Sequence, residues 1–348
     1  EYPNYDMITT SGGSLANLTA LLAARNHFFP EIAKKGMCRW TKQRVPAIAI
    51  SADIHYSIQK SVSVLGLGSQ NIITLPLNEK RQIDVHRAKQ CLDSAENTGL
   101  HVFAIVANAG STATGAFDPL DRLAALARSK KIWLHVDGAH GASFLLSTKI
   151  KHRLKGIHHA DSLTWHAHKM LFVPPLCSLL FYRNKEMSYK AYGQDASYIF
   201  DSQHNPYIEY DSAYRSFECT KRPMMMNLWL LWAVFGKQMF EQLLDKAVKN
   251  SLDFYYELKK QEDFETLHYP QANIVCFRYI PNKQLSSEKL SELQLIIRKK
   301  IVENGRFFIS KTNLDNIAAL RTVFSNPFIT IETCRELLDE IRWIYQKL

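Results

Sequence analysis

The chain has 348 residues, 46% of them hydrophobic, which is enough to form one large domain and a smaller one. Its 43 Lys and Arg exceed its 33 Asp and Glu, but these basic residues are dispersed, so we expect no nucleic-acid partner. No apolar run is long enough to cross a bilayer, which argues against a membrane protein, and the six cysteines show no CxxC spacing, which argues against a metal site and favours reduced thiols in the cytoplasm.

The first two-thirds of the chain alternate short β-rich runs with amphipathic helical stretches. This alternation indicates βα units and a mainly parallel sheet covered on both faces, which is an α/β fold. The chain lacks an initial Met and enters a motif almost at once, so we expect an N-terminal segment ahead of it. The predicted strands are 47–51, 72–75, 102–107, 132–136, 162–165 and 178–182, and the predicted helices are 15–28, 84–94 and 119–129.

The last third is typical of a compact α+β unit that follows a long helical region at about 224–260. We place the domain boundary near residue 240, with a large domain over 1–240 and a small C-terminal α+β domain over 241–348. The predicted elements of the small domain are strands 273–279, 306–311 and 318–324 and helices 287–303 and 330–346.

A glycine turn opens the first predicted helix. Gly13 and Ser14 stand where the chain enters this helix, and exposed N–H groups at a helix start can bind phosphate. An ordinary helix cap has the same residue types, so the turn alone leaves both interpretations open.

Polar residues follow two of the predicted strands. His55 comes just after the first, where an imidazole can stack on a cofactor ring, or can act as a capping or core histidine. Ser111 and Thr112 follow the strand at 102–107 and are placed to reach the same region.

Asp137 ends an apolar strand, at the sheet edge where α/β proteins bind ligands. It could cap a helix, bind a metal, or pair with the protonated pyridine nitrogen of pyridoxal phosphate (PLP) and keep that ring a strong electron sink.

Lys169 follows the next strand and precedes the apolar run 170–175. A lysine is usually a solvated surface charge, but burial lowers its pKa and suits it to Schiff-base chemistry. The two possibilities remain open from this residue alone.

In combination, these segments resemble the group II PLP-dependent amino-acid decarboxylases of fold type I, in the branch of the glutamate, cysteine sulfinate and 2,4-diaminobutyrate decarboxylases. The resemblance covers essentially the whole chain and implies a mainly parallel seven-stranded sheet, a smaller C-terminal α+β domain and a homodimer. The motifs that carry it are Ser11-Gly12-Gly13-Ser14, Gly115-Ala116-Phe117-Asp118-Pro119-Leu120, His135-Val136-Asp137-Gly138-Ala139, His168-Lys169-Met170 and Arg321-Thr322-Val323-Phe324.

The resemblance also implies how the cofactor ring is held. Lys169 would bind PLP as a Schiff base with His168 beside it, and Asp137 would bind the pyridine nitrogen. His55 and Ala139 would lie against the two faces of the ring.

Further residues are implied for the phosphate and the substrate. Gly13 and Ser14 would hold the phosphate, and Thr112 would lie near the polar edge of the ring. Arg321 would bind the substrate α-carboxylate, because a guanidinium fork suits a carboxylate. Its alternative is an ordinary salt-bridged arginine in a C-terminal strand.

The sequence departs from the family pattern at three places. His166 stands where the family often has the Asn of Asn-Pro-His-Lys, and we include it among the cofactor-binding residues. Asp137-Gly138 replaces the commoner Asp-Ala. The family's proton-donating tyrosine would have its counterpart in Tyr207, although the alignment of this loop is shifted by one residue and places Pro206 at the matching position; Tyr210 is the nearby alternative.

The resemblance implies that the chain decarboxylates an L-amino acid, with an acidic or diamino acid as substrate. Alternatives are another fold type I reaction, such as aminotransfer or oxidative deamination, and a non-catalytic protein that keeps the fold. Lys169, Asp137 and His55 together favour an enzyme.

Overall fold

The computed structural model describes residues 4–37, 44–193, 211–281 and 285–348. The chain divides into two compact units. One comprises Glu1–Ser111 and Phe117–Phe240, and the other comprises Thr112–Ala116 and Glu241–Leu348. The prediction that residues 1–240 act as the cofactor-binding domain stays a prediction.

Within the described residues, the first unit contains a seven-stranded sheet. Its strands are β1 (Asp6–Thr10), β2 (Val45–Ser51), β3 (Ile72–Leu75), β4 (Leu100–Asn108), β5 (Trp133–Asp137), β6 (Ser162–His166) and β7 (Ser178–Tyr182). They are ordered β1-β7-β6-β5-β4-β2-β3. β7 is antiparallel to both of its neighbours, and the other adjacent pairs are parallel.

Helices accompany this sheet, and α1 (Gly13–Phe28) packs against it most extensively. The buried face of α1 is rich in alanine, including Ala16, Ala20 and Ala24, and these small side chains join the core formed with Ile48 and Leu180 of the sheet. The helices that begin in this unit are α1 (Gly13–Phe28), α2 (Pro30–Lys35), α3 (Ser57–Val64), α4 (Val85–Asn97), α5 (Leu120–Ser129), α6 (Ala167–Met170), α7 (Ser212–Arg215) and α8 (Met225–Leu258), the last interrupted at Gly236.

The central strands are buried along their length, since every residue of β5 and residues 102–108 of β4 are shielded from solvent. Burial on both faces explains their continuous apolar sequences. Because β2, β4, β5 and β6 run parallel, their carboxyl ends meet at one edge of the sheet. The polar residues that follow these strands are therefore collected there.

Among its described residues, the second unit has a four-stranded antiparallel sheet. Its strands are ordered β10 (Ser310–Leu314), β11 (Ile317–Val323), β9 (Ile274–Tyr279) and β8 (Phe264–Thr266). Its core joins Phe277, Ile297, Leu320 and Ile341. The elements are β8 (Phe264–Thr266), β9 (Ile274–Tyr279), α9 (Ser287–Asn304), β10 (Ser310–Leu314), β11 (Ile317–Val323) and α10 (Ile331–Gln346).

The predicted α/β architecture is confirmed, with its mainly parallel seven-stranded sheet and smaller α+β part. The strand predicted at 306–311 is wrong in position, because β10 begins at Ser310, where pairing with Arg321 of β11 starts. In the described part of the chain, no helix combines the length and apolarity needed to cross a membrane.

Candidate active site

Lys169 and Asp137 lie at the same edge of the large sheet. Asp137 is the last residue of β5, and Lys169 lies in the short helix α6, directly after the parallel neighbour β6. Lys169 is half-buried, and its positive charge acts on Asp137, His55 and His166. The structure therefore brings together four of the residues predicted from sequence.

The Asp137 carboxylate is buried, with 7% of the residue exposed. Its Oδ2 accepts a hydrogen bond of 2.9 Å from Asn17, and its Oδ1 accepts one of 3.1 Å from the Ala139 N–H. Burial raises the pKa of this carboxyl, but the charge of Lys169 and the Asn17 hydrogen bond outweigh that effect, so the pKa lies below its usual value. The group is a buried anion suited to a cationic partner.

His55 is half-buried after β2 and lies against Tyr56, with 4.2 Å between the ring centroids. Its Nδ1 is 2.8 Å from the Ser57 hydroxyl. Burial is the main influence on the pKa of His55 and lowers it, and Lys169 acts in the same direction, while Asp137 opposes them. The imidazole is therefore neutral near pH 7, and its ring can stack on a flat ligand.

The start of α1 faces the buried imidazole of His166. A Cβ added at Gly13 would lie 2.2 Å from Cε1 and 2.3 Å from Nε2 of this ring, so glycine is required for the close approach. Only 6% of His166 is exposed, and neither ring nitrogen has a hydrogen-bond partner among the described residues. Burial, followed by the charge of Lys169, lowers the pKa of His166 to about 3.

His168 stacks on His166, with 4.9 Å between the ring centroids and 20° between the planes. Its Nδ1 is 3.0 Å from the Cys177 N–H, which donates to it. A backbone contact thus fixes the orientation of the residue next to Lys169.

Sequence reasoning missed three residues of this site: Asn17, Ser57 and His135. Asn17 is buried and contacts Asp137, Ser57 and His135. The available signal was a polar residue on the buried face of an Ala- and Leu-rich helix, since buried polar groups need partners.

Thr112 and Arg321 belong to the second unit. Thr112 is exposed, and the neighbouring Ala113 carbonyl accepts a hydrogen bond of 3.1 Å from Arg321 Nε. Arg321 also donates to Ser310 Oγ at 3.0 Å. No carboxylate of the described residues forms an ion pair with Arg321, so its guanidinium retains the capacity to bind an anion. Tyr207, the predicted proton donor, lies outside the described residues.

The residues of the first unit fit PLP. A phosphate needs hydrogen-bond donors, and the first N–H groups of α1 have no partner within the helix. The unpartnered nitrogens of His166 lie beside them. The ring nitrogen needs an anion, which Asp137 supplies, and the aldehyde needs an amine, which Lys169 supplies.

Comparison with known proteins agrees with this fit. The model of the pyridoxal-dependent decarboxylase conserved domain matches residues 4–280. The acidic amino acid decarboxylase GADL1 of Mus musculus is 32% identical over 347 residues, which are 97% of this chain and 62% of that protein. The chain therefore spans less than two thirds of this curated relative.

Solved structures also match. The crystal structure of mouse CSAD has a TM-score of 0.90 at 30% identity. The match covers 99% of this chain and 72% of the CSAD chain. A second match is the glutamate decarboxylase domain of the diaminobutyrate-pyruvate transaminase and L-2,4-diaminobutyrate decarboxylase from Vibrio parahaemolyticus. It has a TM-score of 0.84 at 26% identity, and the match covers 99% of this chain and 69% of that one.

Proposed function

The chain belongs to the pyridoxal-dependent decarboxylase family, and from this premise we propose that it removes the α-carboxylate of an L-amino acid as CO₂ and leaves the amine. The family inferred from the sequence motifs is thereby confirmed, and the cofactor of this family is PLP. The observation that carries the proposal is the pair formed by Asp137 and Lys169. Asp137 is buried and ionised, and the positive charge of the half-buried Lys169 lowers its pKa.

Five residues are proposed to hold the ring of PLP. Lys169 binds it covalently through Nζ, and Asp137 pairs with the pyridine nitrogen. His55 and Ala139 lie against opposite faces, and His168 supports Lys169 from the adjacent position. The support is the position of these residues at the ends of β2, β5 and β6.

The phosphate is proposed to lie at the start of α1. Gly13 and Ser14 offer backbone N–H groups there, and His166 offers an imidazole whose nitrogens have no partner among the described residues. Thr112 is proposed to contact the polar edge of the ring.

When bound, PLP supplies an electron sink for the electrons left behind by departing CO₂. Asp137 maintains the proton on the pyridine nitrogen because its negative charge favours the protonated form. The buried surroundings of Asp137 strengthen this interaction by excluding water. A proton is then delivered to the α-carbon, for which Tyr207 and His55 are the proposed donors.

We propose an acidic or diamino acid substrate. The relative named acidic amino acid decarboxylase supports an acidic side chain, and the named 2,4-diaminobutyrate decarboxylase supports a diamino acid. Arg321 is proposed to bind the α-carboxylate, since its planar fork is not occupied by a carboxylate of the described residues.

A homodimer in the cytoplasm is proposed for the assembled protein. Trp229, Leu230 and Val234 of α8 expose 68%, 55% and 64% of their surfaces, and a cluster of large apolar side chains on a surface is typical of an interface. Each cysteine that the structure describes carries a free thiol, which suits a reducing compartment.

The function is tested with Lys169→Ala. The unmutated protein should bind PLP covalently, show a visible absorbance band and release CO₂ from acidic or diamino acids. Lys169→Ala should lose all three, whereas Lys299→Ala, which removes an exposed lysine of α9, should keep them. Persistence of the absorbance band and of CO₂ release in Lys169→Ala would refute the assignment.

A further inference from the structure

A chain of buried hydrogen bonds is centred on Asn17. Only 2% of Asn17 is exposed, and its side chain has four partners. The amide nitrogen donates to Asp137 Oδ2 at 2.9 Å and to Ser57 Oγ at 3.0 Å. The amide oxygen accepts from Thr164 Oγ1 at 2.8 Å and lies 3.1 Å from His135 Nε2. The hydrogen-bonding capacity of this amide is fully used.

The Asp137 carboxylate, at one end of this series of hydrogen bonds, fixes which atom donates at each step. The ionised carboxylate of Asp137 can only accept, so the amide nitrogen of Asn17 faces it and the amide oxygen faces His135. Because this oxygen can only accept, the proton of neutral His135 lies on Nε2.

The contacts of the other ring nitrogen, His135 Nδ1, are consistent with this tautomer. The Trp133 indole N–H, which can only donate, bonds Ser162 Oγ at 2.8 Å. The Ser162 hydroxyl proton is then directed to His135 Nδ1, also at 2.8 Å. All three side chains are buried, so water does not compete for these contacts.

A second branch runs from Asn17 to His55. Ser57 Oγ accepts from Asn17, so its own proton is directed to His55 Nδ1 at 2.8 Å. The Ser57 backbone N–H also points to this nitrogen, at 3.3 Å. The proton of neutral His55 therefore lies on Nε2, away from Ser57.

We propose that Asn17 and His135 are positioning residues that orient the Asp137 carboxylate and set the tautomer of His55 for PLP. This inference rests on the proposed function, in which Asp137 meets the edge of the ring and His55 its face. The Asn17 amide bonds Asp137 directly and reaches His55 through Ser57, so one buried amide orients the carboxylate and sets the tautomer of the imidazole. A polar network in this location costs desolvation that apolar side chains would avoid, and its complete set of hydrogen bonds offsets part of that cost.

The inference is tested first on the cofactor-free protein, by nitrogen NMR of labelled histidine. His135 and His55 should both be neutral with the proton on Nε2. Asn17→Ala should raise the fraction of His55 that carries its proton on Nδ1. Ser57 then loses the donor that directs its hydroxyl, and only the longer contact of 3.3 Å from the Ser57 N–H still favours the Nε2 tautomer. A proton on Nδ1 of either histidine in the unmutated protein would overturn the proposal.

The second test measures equilibrium binding of PLP and the pH titration of its absorbance. Asn17→Ala should weaken binding about tenfold or more, the scale expected for a lost hydrogen bond to a charged group. His135→Leu, which removes the donor to the Asn17 amide oxygen, should weaken binding about threefold or more. They should also shift the titration of the bound cofactor. His135→Gln should recover much of the loss, because its amide N–H can still donate to Asn17.

Asn273→Ala is the matched control. Asn273 is a fully buried asparagine of the second unit, whose amide donates to the Phe324 carbonyl at 3.1 Å. Its loss should lower thermal stability without shifting the absorbance titration. Binding within about twofold of the unmutated protein in both Asn17→Ala and His135→Leu would overturn the proposal. Failure of the unmutated protein to bind PLP would instead refute the proposed function, and the NMR test would still decide on the hydrogen-bond chain.

Discussion

His166 combines deep burial with two ring nitrogens that have no partner among the described residues. A buried polar group without a hydrogen bond destabilises the folded protein, so such a residue indicates a site where a ligand supplies the missing partner. Its ring lies against Gly13 at the start of α1, where an anion is favoured. A phosphate bound there would satisfy the imidazole and the helix N–H groups together.

Phosphate binding at His166 should be accompanied by proton uptake. The imidazole has a pKa of about 3 in the cofactor-free protein, and a neighbouring phosphate raises that pKa because it favours the cation. Calorimetry of PLP binding in buffers of different ionisation enthalpy should show more proton uptake for the unmutated protein than for His166→Asn, whose amide cannot take a proton. Equal uptake by both proteins would exclude His166 from the phosphate site.

His135 should make the stability of the cofactor-free protein sensitive to acid. Burial lowers its pKa from 6.5 to about 4, so the unfolded chain takes up a proton first as the pH falls. The stabilisation is fully present above pH 6.5 and is lost as the pH falls towards 4. We expect the free energy of unfolding to fall by about 2 kcal/mol from this group between about pH 7 and about pH 5.

Denaturant titrations at these two pH values measure the effect. His135→Gln should reduce the dependence on pH, while His86→Gln, which replaces an exposed histidine of α4, should not. If the free energy of unfolding of His135→Gln depends on pH as strongly as that of the unmutated protein, His135 is not the group responsible.

The placement of Asp137, Lys169, His55 and Gly13 could be predicted from the sequence because each stands next to a strand or helix end, and their roles stay predictions. Asn17 and His135 could not be assigned in this way. They lie inside apolar elements, and their partners are distant in the chain, as in the contact between Asn17 and Asp137. Only tertiary structure brings such pairs together.

Among the elements, the central strands could be predicted because burial on both faces gives a continuous apolar run. β1 was not predicted, since its sequence is half polar and it is defined by antiparallel pairing with the distant β7. The strand predicted at 306–311 begins before β10 because Phe307 and Phe308 extend the apolar run of the sequence. Phe308 is 80% exposed, and neither phenylalanine belongs to the strand.

The connection after β5 has no room for a side chain at Gly138. An added Cβ would lie 2.7 Å from Leu163 Cδ1, 2.8 Å from Ala142 Cβ and 3.0 Å from the Thr164 carbonyl oxygen. Gly138→Ala would restore the commoner family residue, yet it should destabilise this chain by about 1–3 kcal/mol through overpacking.

Chemical denaturation measures this cost. Adding Ala142→Gly to Gly138→Ala should recover part of it, because one of the three close contacts disappears. A Gly138→Ala protein as stable as the unmutated one would show that the surrounding segment adapts freely.

At the scale of the whole molecule, the exposed apolar face of α8 should mediate the proposed homodimer. Trp229→Glu places a charge on this face and should shift the protein towards the monomer, because burying an unpaired charge is costly. Trp343→Glu, on an exposed position of α10, should leave the assembly unchanged. Light scattering coupled to size-exclusion chromatography gives the masses, and a monomeric unmutated protein would contradict the homodimer.

In the proposed reaction, this chain decarboxylates an amino acid with PLP held by Lys169. The most direct measurement incubates the PLP-loaded protein with carboxyl-labelled acidic and diamino acids and quantifies labelled CO₂ and amine together. We expect equal amounts of CO₂ and amine from at least one of these substrates, and neither product from Lys169→Ala. Formation of a keto acid or ammonia without labelled CO₂ would contradict it.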